Sequence, residues 1–129
     1  MFVQGDPPEA VYCILSGRVE ITTTAADGRV RLLAMVAAGD LVGELAVLGD
    51  MPRSGSAICV ADTTAWAVDG QRFRRFVYHH PPVALALLCS LSRPVVAQNG
   101  LVDDMLFLDL RGRVAKRLLV NTLRRFAGL

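Results

Sequence analysis

Histidine is nearly absent from this chain: the 129 residues hold only two, adjacent at His79 and His80. A metal enzyme built on a β-barrel needs several histidine or carboxylate ligands converging from separate strands, and neither histidine lies in a strand-like run. There is no Ser-His-Asp set, no Cys-His pair with recognisable local context and no Walker-type loop. The residues argue against an enzyme. Cysteine is scarce too. Cys13, Cys59 and Cys89 are far apart, lack metal-ligand spacing and sit among apolar neighbours. They read as buried free thiols of a reducing compartment, for which the cytoplasm is the simplest assignment. No apolar run approaches the roughly 18 residues that a membrane span needs, and Met1–Asp6 has no charged-then-apolar signal pattern. Charge of one sign is also missing. Fourteen Lys and Arg against twelve Asp and Glu leave a net charge of +2, so no global attraction to nucleic acid exists.

What the chain has is apolar residues, 53% of the total, which argues for a folded protein of one domain's size. Val11–Ser16 and Arg18–Thr24 are apolar and β-branched runs parted by Gly17. Ala26-Asp27-Gly28 is a hairpin signal before Val30–Val36. Ser56–Ala61 and Thr63–Val68 give two more strands. Many short strands with Gly-marked turns predict an antiparallel barrel or jelly roll. Asp69 is placed to cap a short helix whose one face carries Phe73, Phe76 and Val77. Pro81-Pro82 suits the first turn of the next helix.

Between the third and fourth strand-like runs lies the most informative stretch, Val42 to Ala57. It gathers a glycine (Gly43), a carboxylate (Glu44), a short apolar turn, an arginine (Arg53) and two hydroxyls (Ser54 and Ser56). Amides after Gly43 can face an anion if a helical turn starts there. Arg53 offers a planar fork matching two phosphate oxygens. Glu44 would repel a phosphate but accepts hydrogen bonds from hydroxyls. Together they suit a ligand with both a sugar hydroxyl and a phosphate. The competing reading is a solvated surface pair of Glu44 and Arg53, worth little. Their order and spacing, with Gly43 and Pro52 in place, favour the ligand.

The run Gly43-Glu44-Leu45-Ala46 followed by Pro52-Arg53-Ser54 resembles the phosphate-binding cassette of cyclic nucleotide-binding domains. Those domains occur in Crp/Fnr-type bacterial transcription regulators and in cyclic-nucleotide-dependent kinases. Gly5-Asp6, Val11–Val19 and Ala38-Gly39-Asp40 are similar to the family's early strand pair and the turn into its cassette. Leu106–Ala115 is similar to the segment joining sensor to DNA-binding domain in the Crp/Fnr regulators, and selects them over the kinases. The resemblance implies a mainly β fold with flanking helices, an antiparallel β-roll like a double-stranded jelly-roll barrel, followed by a long dimerisation helix. It implies a cyclic nucleotide of the cAMP type as ligand and no metal. Glu44 would take the ribose 2′-hydroxyl, Arg53 the cyclic phosphate, and Ser54 would add a hydroxyl and an amide, with Gly43, Leu45 and Ala46 completing the cassette. Gln98 and Asn99 fall where the family's dimer helix meets the base. An Asn on a helix seam can equally set register without touching a ligand.

The implied layout is a β-roll with a short helix over 1–80, a dimerisation helix over 81–108, and the start of a C-terminal domain over 109–129. Leu85, Leu88, Ser92, Val95, Asn99, Val102 and Leu106 recur at spacings of three and four, a seam that pairs two helices into a homodimer through 82–108. Pro94 conflicts with it, since proline inside a helix costs about 3 kcal/mol, and a kink or break is expected at Arg93-Pro94. Asp109 would cap a last helix to about Phe126. The family's helix-turn-helix would follow, and the chain reads as a sensor module short at both ends or a fragment of a longer regulator. DNA would then be reached only through an element outside these residues. Arg111, Arg113, Lys116, Arg117, Arg124 and Arg125 could touch a phosphate backbone, but a solvated helix face is the preferred account. Relatives that sense through haem or an iron–sulfur cluster are disfavoured, because there is no early cysteine cluster and no strand-borne histidine. A nucleotide-free dimerisation module of the same fold is the alternative.

Overall fold

The computed structural model describes residues 1–97 and 121–126. Six strands and three helices follow in chain order: β1 (Ala10–Ser16), β2 (Arg18–Thr24), β3 (Val30–Ala37), β4 (Leu41–Val42), α1 (Glu44–Gly49), β5 (Ser56–Cys59), β6 (Thr64–Asp69), α2 (Gly70–His79) and α3 (Pro81–Ala97). The strands form two antiparallel three-stranded sheets, ordered β4-β1-β6 and β3-β2-β5. The β-roll expected from the sequence is present, but the sheets do not close into a barrel.

Each sheet has one of the first two strands at its centre. In β1, the neighbours Cys13 and Ile14 are both about 1% exposed, so both faces of that strand are covered. Gly17 makes the turn into β2 with φ +97, and a Cβ there would collide with the Asp62 carbonyl oxygen. Only glycine meets both conditions. Ile14, Val19, Val36, Val42 and Ala57 form the core cluster, with Phe2, Tyr12, Ile21 and Ala65 against it. Burying this apolar area is the main force holding the sheets together. β3 lies at a sheet edge, and its Val30, Leu32, Leu33 and Met35 are exposed although they read as an apolar strand.

Asp69 caps α2 as its sequence position suggests: its Oδ1 accepts the Gln71 and Arg72 amides at 3.0 and 3.1 Å. The chain divides into two compact units, residues 1–74 and 75–129. In the second unit, Phe76, Val83, Leu87 and Leu123 are buried, and residues 121–126 are helical. Phe126 packs on Phe76 and His80, with ring centres 5.1 and 5.5 Å apart.

Several expectations change. Cys13 is buried, but Cys59 and Cys89 are exposed. Cys59 is the last residue of the short strand β5, and its apolar sequence neighbours Ile58 and Val60 are exposed too, so the end of that strand is solvated. α3 runs through Pro94 to Ala97 without a break, which leaves a kink as the surviving form of that expectation. Of the proposed seam, Leu85 and Leu88 are exposed on α3, while Asn99, Val102 and Leu106 lie outside the described residues. So do Arg111, Arg113, Lys116 and Arg117, whereas Arg124 and Arg125 are exposed. Among the described residues, no helix is long and apolar enough to cross a membrane.

Candidate functional site

The cassette begins where β4 ends. Gly43 has φ +88, a left-handed conformation that side chains resist, and stands at the N-cap of α1 with no capping side-chain bond. The six-residue helix α1 then carries Glu44 in its first turn. So short a helix leaves no periodicity in the sequence, although the run Gly43-Glu44 does mark its start. Glu44 is half-buried, Leu45 exposed, Ala46 and Val47 buried. Asp50 closes the helix in a left-handed conformation, its amide donating to the Ala46 and Val47 carbonyls.

Arg53 is the centre of the site. Its side chain is only 4% exposed, which rules out the surface-pair reading for this residue. Nη1 donates to the Gly43 carbonyl at 2.8 Å and Nη2 to the Ala10 carbonyl on β1 at 2.5 Å. The guanidinium carbon lies 4.1 Å from the centre of the Phe2 ring, a cation–π contact. Its backbone is clipped on both sides by the Gly5-Asp6 turn: the Gly5 amide donates to the Arg53 carbonyl and the Arg53 amide to the Asp6 carbonyl, each at 2.9 Å. Thus the early turn, merely structural as a sequence feature, positions the arginine.

Burial lowers the Arg53 pKa from its ordinary value, opposed by the nearby Tyr12, Asp6, Glu44 and Glu9. The group still carries its charge at neutral pH. Its Nε is buried and makes no hydrogen bond. A buried N–H without an acceptor costs about 1–3 kcal/mol, so an anion oxygen reaching this guanidinium would relieve a real penalty. Glycine at 43 is required by this packing, since a Cβ there would collide with Arg53 Nη1.

Ser54 is exposed next to Arg53, and its carbonyl accepts from the Thr23 hydroxyl at 3.3 Å. The structure therefore brings Arg53 to Gly43 at the start of α1, which Glu44, Leu45 and Ala46 continue, while Ser54 adjoins Arg53 and meets Thr23 of β2. Gln98 and Asn99 lie outside the described residues. Sequence reasoning missed Phe2 and Ala10. A backbone carbonyl leaves no trace in residue identity, and Phe2 reads as an ordinary terminal apolar residue. Among the described residues, no group of three His, Cys, Asp or Glu side chains could hold a metal ion.

Residues 1–80, which carry this geometry, match the family model described as the cyclic nucleotide-binding domain. The chain belongs to that family. Within it, the chain is 35% identical over 119 residues to a CRP-like cAMP-activated global transcriptional regulator of Mycobacterium tuberculosis, covering 92% of this chain and 53% of that protein. It thus spans about half the length of that relative. Among solved structures, the N-terminal domain of a transcriptional regulator from Streptomyces coelicolor is 29% identical, with a TM-score of 0.56 over 77% of this chain and 71% of that one. The EAL enzyme Bd1971, in a form bound to cAMP and cyclic-di-GMP, is 27% identical, with a TM-score of 0.61 over 77% of this chain and 26% of that one. The cyclic nucleotide-binding domain thus stands beside regulators in some of its relatives and beside an enzyme in another.

Proposed function

We propose that this cyclic nucleotide-binding domain is the cAMP-type sensor of a cytoplasmic Crp/Fnr-family regulator, and that it is not itself catalytic. The observation that carries the reading is Arg53: a buried cation with an N–H lacking an acceptor, beside the start of α1. Such a group suits a compact anion that it can approach without solvent. In this reading Arg53 holds the cyclic phosphate, and Ser54 adds its hydroxyl and amide. Gly43, Leu45 and Ala46 line the phosphate end, and Glu44 accepts the ribose 2′-hydroxyl. Gln98 and Asn99 would meet the base. No metal has a part in the chemistry.

The relatives support the ligand and the role through their names, which include a cAMP-activated regulator and a cAMP-bound structure. Coupling then requires that ligand favour one arrangement of the following helices over another. α3 would pair two copies into a homodimer, with Leu85 and Leu88 offering exposed apolar surface. DNA would be read by a helix-turn-helix outside this chain.

A thermal-denaturation series tests the reading. cAMP should raise the midpoint with concentration, as any ligand selective for the folded state does, while adenosine, lacking the phosphate, should leave it unmoved. Equal shifts by both would remove the phosphate from the account.

A further inference from the structure

At its far end, α1 is gripped by a residue that the cassette pattern does not contain. Arg74, on α2, donates from Nε to the Val47 carbonyl at 2.7 Å and from Nη2 to Asp50 Oδ1 at 3.0 Å. The Val47 carbonyl also takes the Asp50 amide, but only at 3.4 Å, and the carbonyl end of a helix favours a cation nearby. α1 has no basic residue in its own last turn. Arg74 supplies that cation from another element. The ion pair with Asp50 is largely solvated, Asp50 being 79% exposed, so by itself it contributes little. The bond to Val47 differs, because Val47 is fully buried. The contact is reinforced at the first residue of α2: a Cβ on Gly70 would lie 3.3 Å from Val47 Cγ1, so α2 starts directly against the same residue.

α1 is therefore a short rod with a different function at each end. Its start lies at Gly43 and Arg53, and its end lies under Arg74. Six residues at helical rise span only about 9 Å, too short a length to bend independently at the two ends. A displacement at Glu44 must reappear at Val47. α1 also rests on β1, which is fixed between β4 and β6, whereas α2, held to α1 through Arg74, runs on to His79 and leads along the chain to α3 at Pro81.

We propose that Arg74 is a positioning residue that makes α2 follow α1, so that occupation of the cassette is read at α2. The ligand part of this inference rests on the nucleotide reading above; the mechanical part does not. The same protein, studied by amide hydrogen exchange, separates the two. In the unaltered chain, cAMP should slow exchange in both 44–50 and 70–79. In Arg74→Gln it should still slow 44–50 and leave 70–79 unchanged. Arg74→Lys keeps the charge but lacks the planar fork whose separate nitrogens reach Val47 and Asp50, and should respond in between.

A second arm needs no ligand. Arg53→Lys disturbs the start of α1, and should speed exchange in 44–50 in either background. It should speed exchange in 70–79 by roughly tenfold only when Arg74 is present, the equilibrium effect of one hydrogen bond to a charged group. A merely structural Arg74 would loosen α2 by itself without changing how α2 answers Arg53→Lys. Exchange in 70–79 that follows 44–50 equally in Arg74→Gln overturns the proposal. Absence of any cAMP response in the unaltered chain overturns the nucleotide reading instead, and the second arm still decides Arg74. Should Arg74→Gln fail to fold, Arg74→Lys in both arms takes its place: a full α2 response overturns the proposal and a reduced one supports it.

Discussion

The Arg53 guanidinium lies 4.1 Å from the centre of the Phe2 ring while its two terminal nitrogens hold the carbonyls of Gly43 and Ala10. The residue proposed to meet the ligand is thus also a tie between the N-terminal segment, β1 and the cassette. From its spacing alone, Arg53→Ala would be expected to cost binding and spare the fold. Its burial changes that expectation.

Arg53→Ala should lower the free energy of unfolding by about 3 kcal/mol, from the loss of two charge-assisted bonds and the ring contact. Urea denaturation followed by the fluorescence of the single tryptophan, Trp66, measures this. Phe2→Leu, which keeps apolar volume and removes the ring face, should cost about 1 kcal/mol. An Arg53→Ala chain as stable as the original would mean that the two carbonyl bonds contribute nothing net.

Gly43→Ala attacks the same point through the backbone. The residue has φ +88, and its added Cβ would collide with Arg53 Nη1. Strain of roughly 1–3 kcal/mol is expected together with at least a tenfold loss of cAMP affinity, as the guanidinium is pushed aside. Denaturation and equilibrium titration of the same sample read the two effects separately. Unchanged affinity would show that the site tolerates a moved arginine.

Cys13 gives a pH dependence of known sign. Burial raises its pKa from 9.0 to about 11. Between those values the unfolded chain releases the thiol proton and the folded chain retains it. Stability contributed by Cys13 is therefore complete below pH 9 and lost as pH climbs towards 11, by about 2 kcal/mol. Denaturation at pH 8 and 10.5 should show a steeper decline in the original chain than in Cys13→Ala. A thiol reagent should label exposed Cys59 and Cys89 in the native protein and Cys13 only on unfolding.

Much of the β-roll was legible because apolar, β-branched runs bounded by glycines report strands directly: Arg18–Thr24 is β2 residue for residue. β4 and α1 escaped as elements, since two and six residues carry too little periodicity to register. Order and spacing singled out the stretch from Gly43 to Ser54, but the burial of Arg53 was not legible in them. A charged residue reads as solvated unless its partners are seen, and here they are two main-chain carbonyls and a ring 51 positions away in sequence. The openness of the edge strand β3 was hidden for a related reason: which strand lies at an edge is a property of sheet order, not of the apolar residues in it.

The exposed Leu85 and Leu88 on α3 predict association. Leu88→Asp should shift the protein towards monomer, because a charge placed in an apolar seam is left without a partner. Sedimentation of both chains at micromolar concentration and above measures it. An unaltered chain that is already monomeric would remove the seam from the account and leave Glu44 and Arg53 untouched.

Calorimetric titration with cAMP tests the central claim most directly. The unaltered chain should bind one cAMP per chain and discriminate against the 2′-deoxy analogue. Glu44→Gln should lose that discrimination, and Arg53→Lys, which keeps the charge without the fork, should bind at least roughly tenfold more weakly. No heat of binding with the unaltered chain, or affinity unchanged in Arg53→Lys, would contradict a cyclic phosphate held by Arg53.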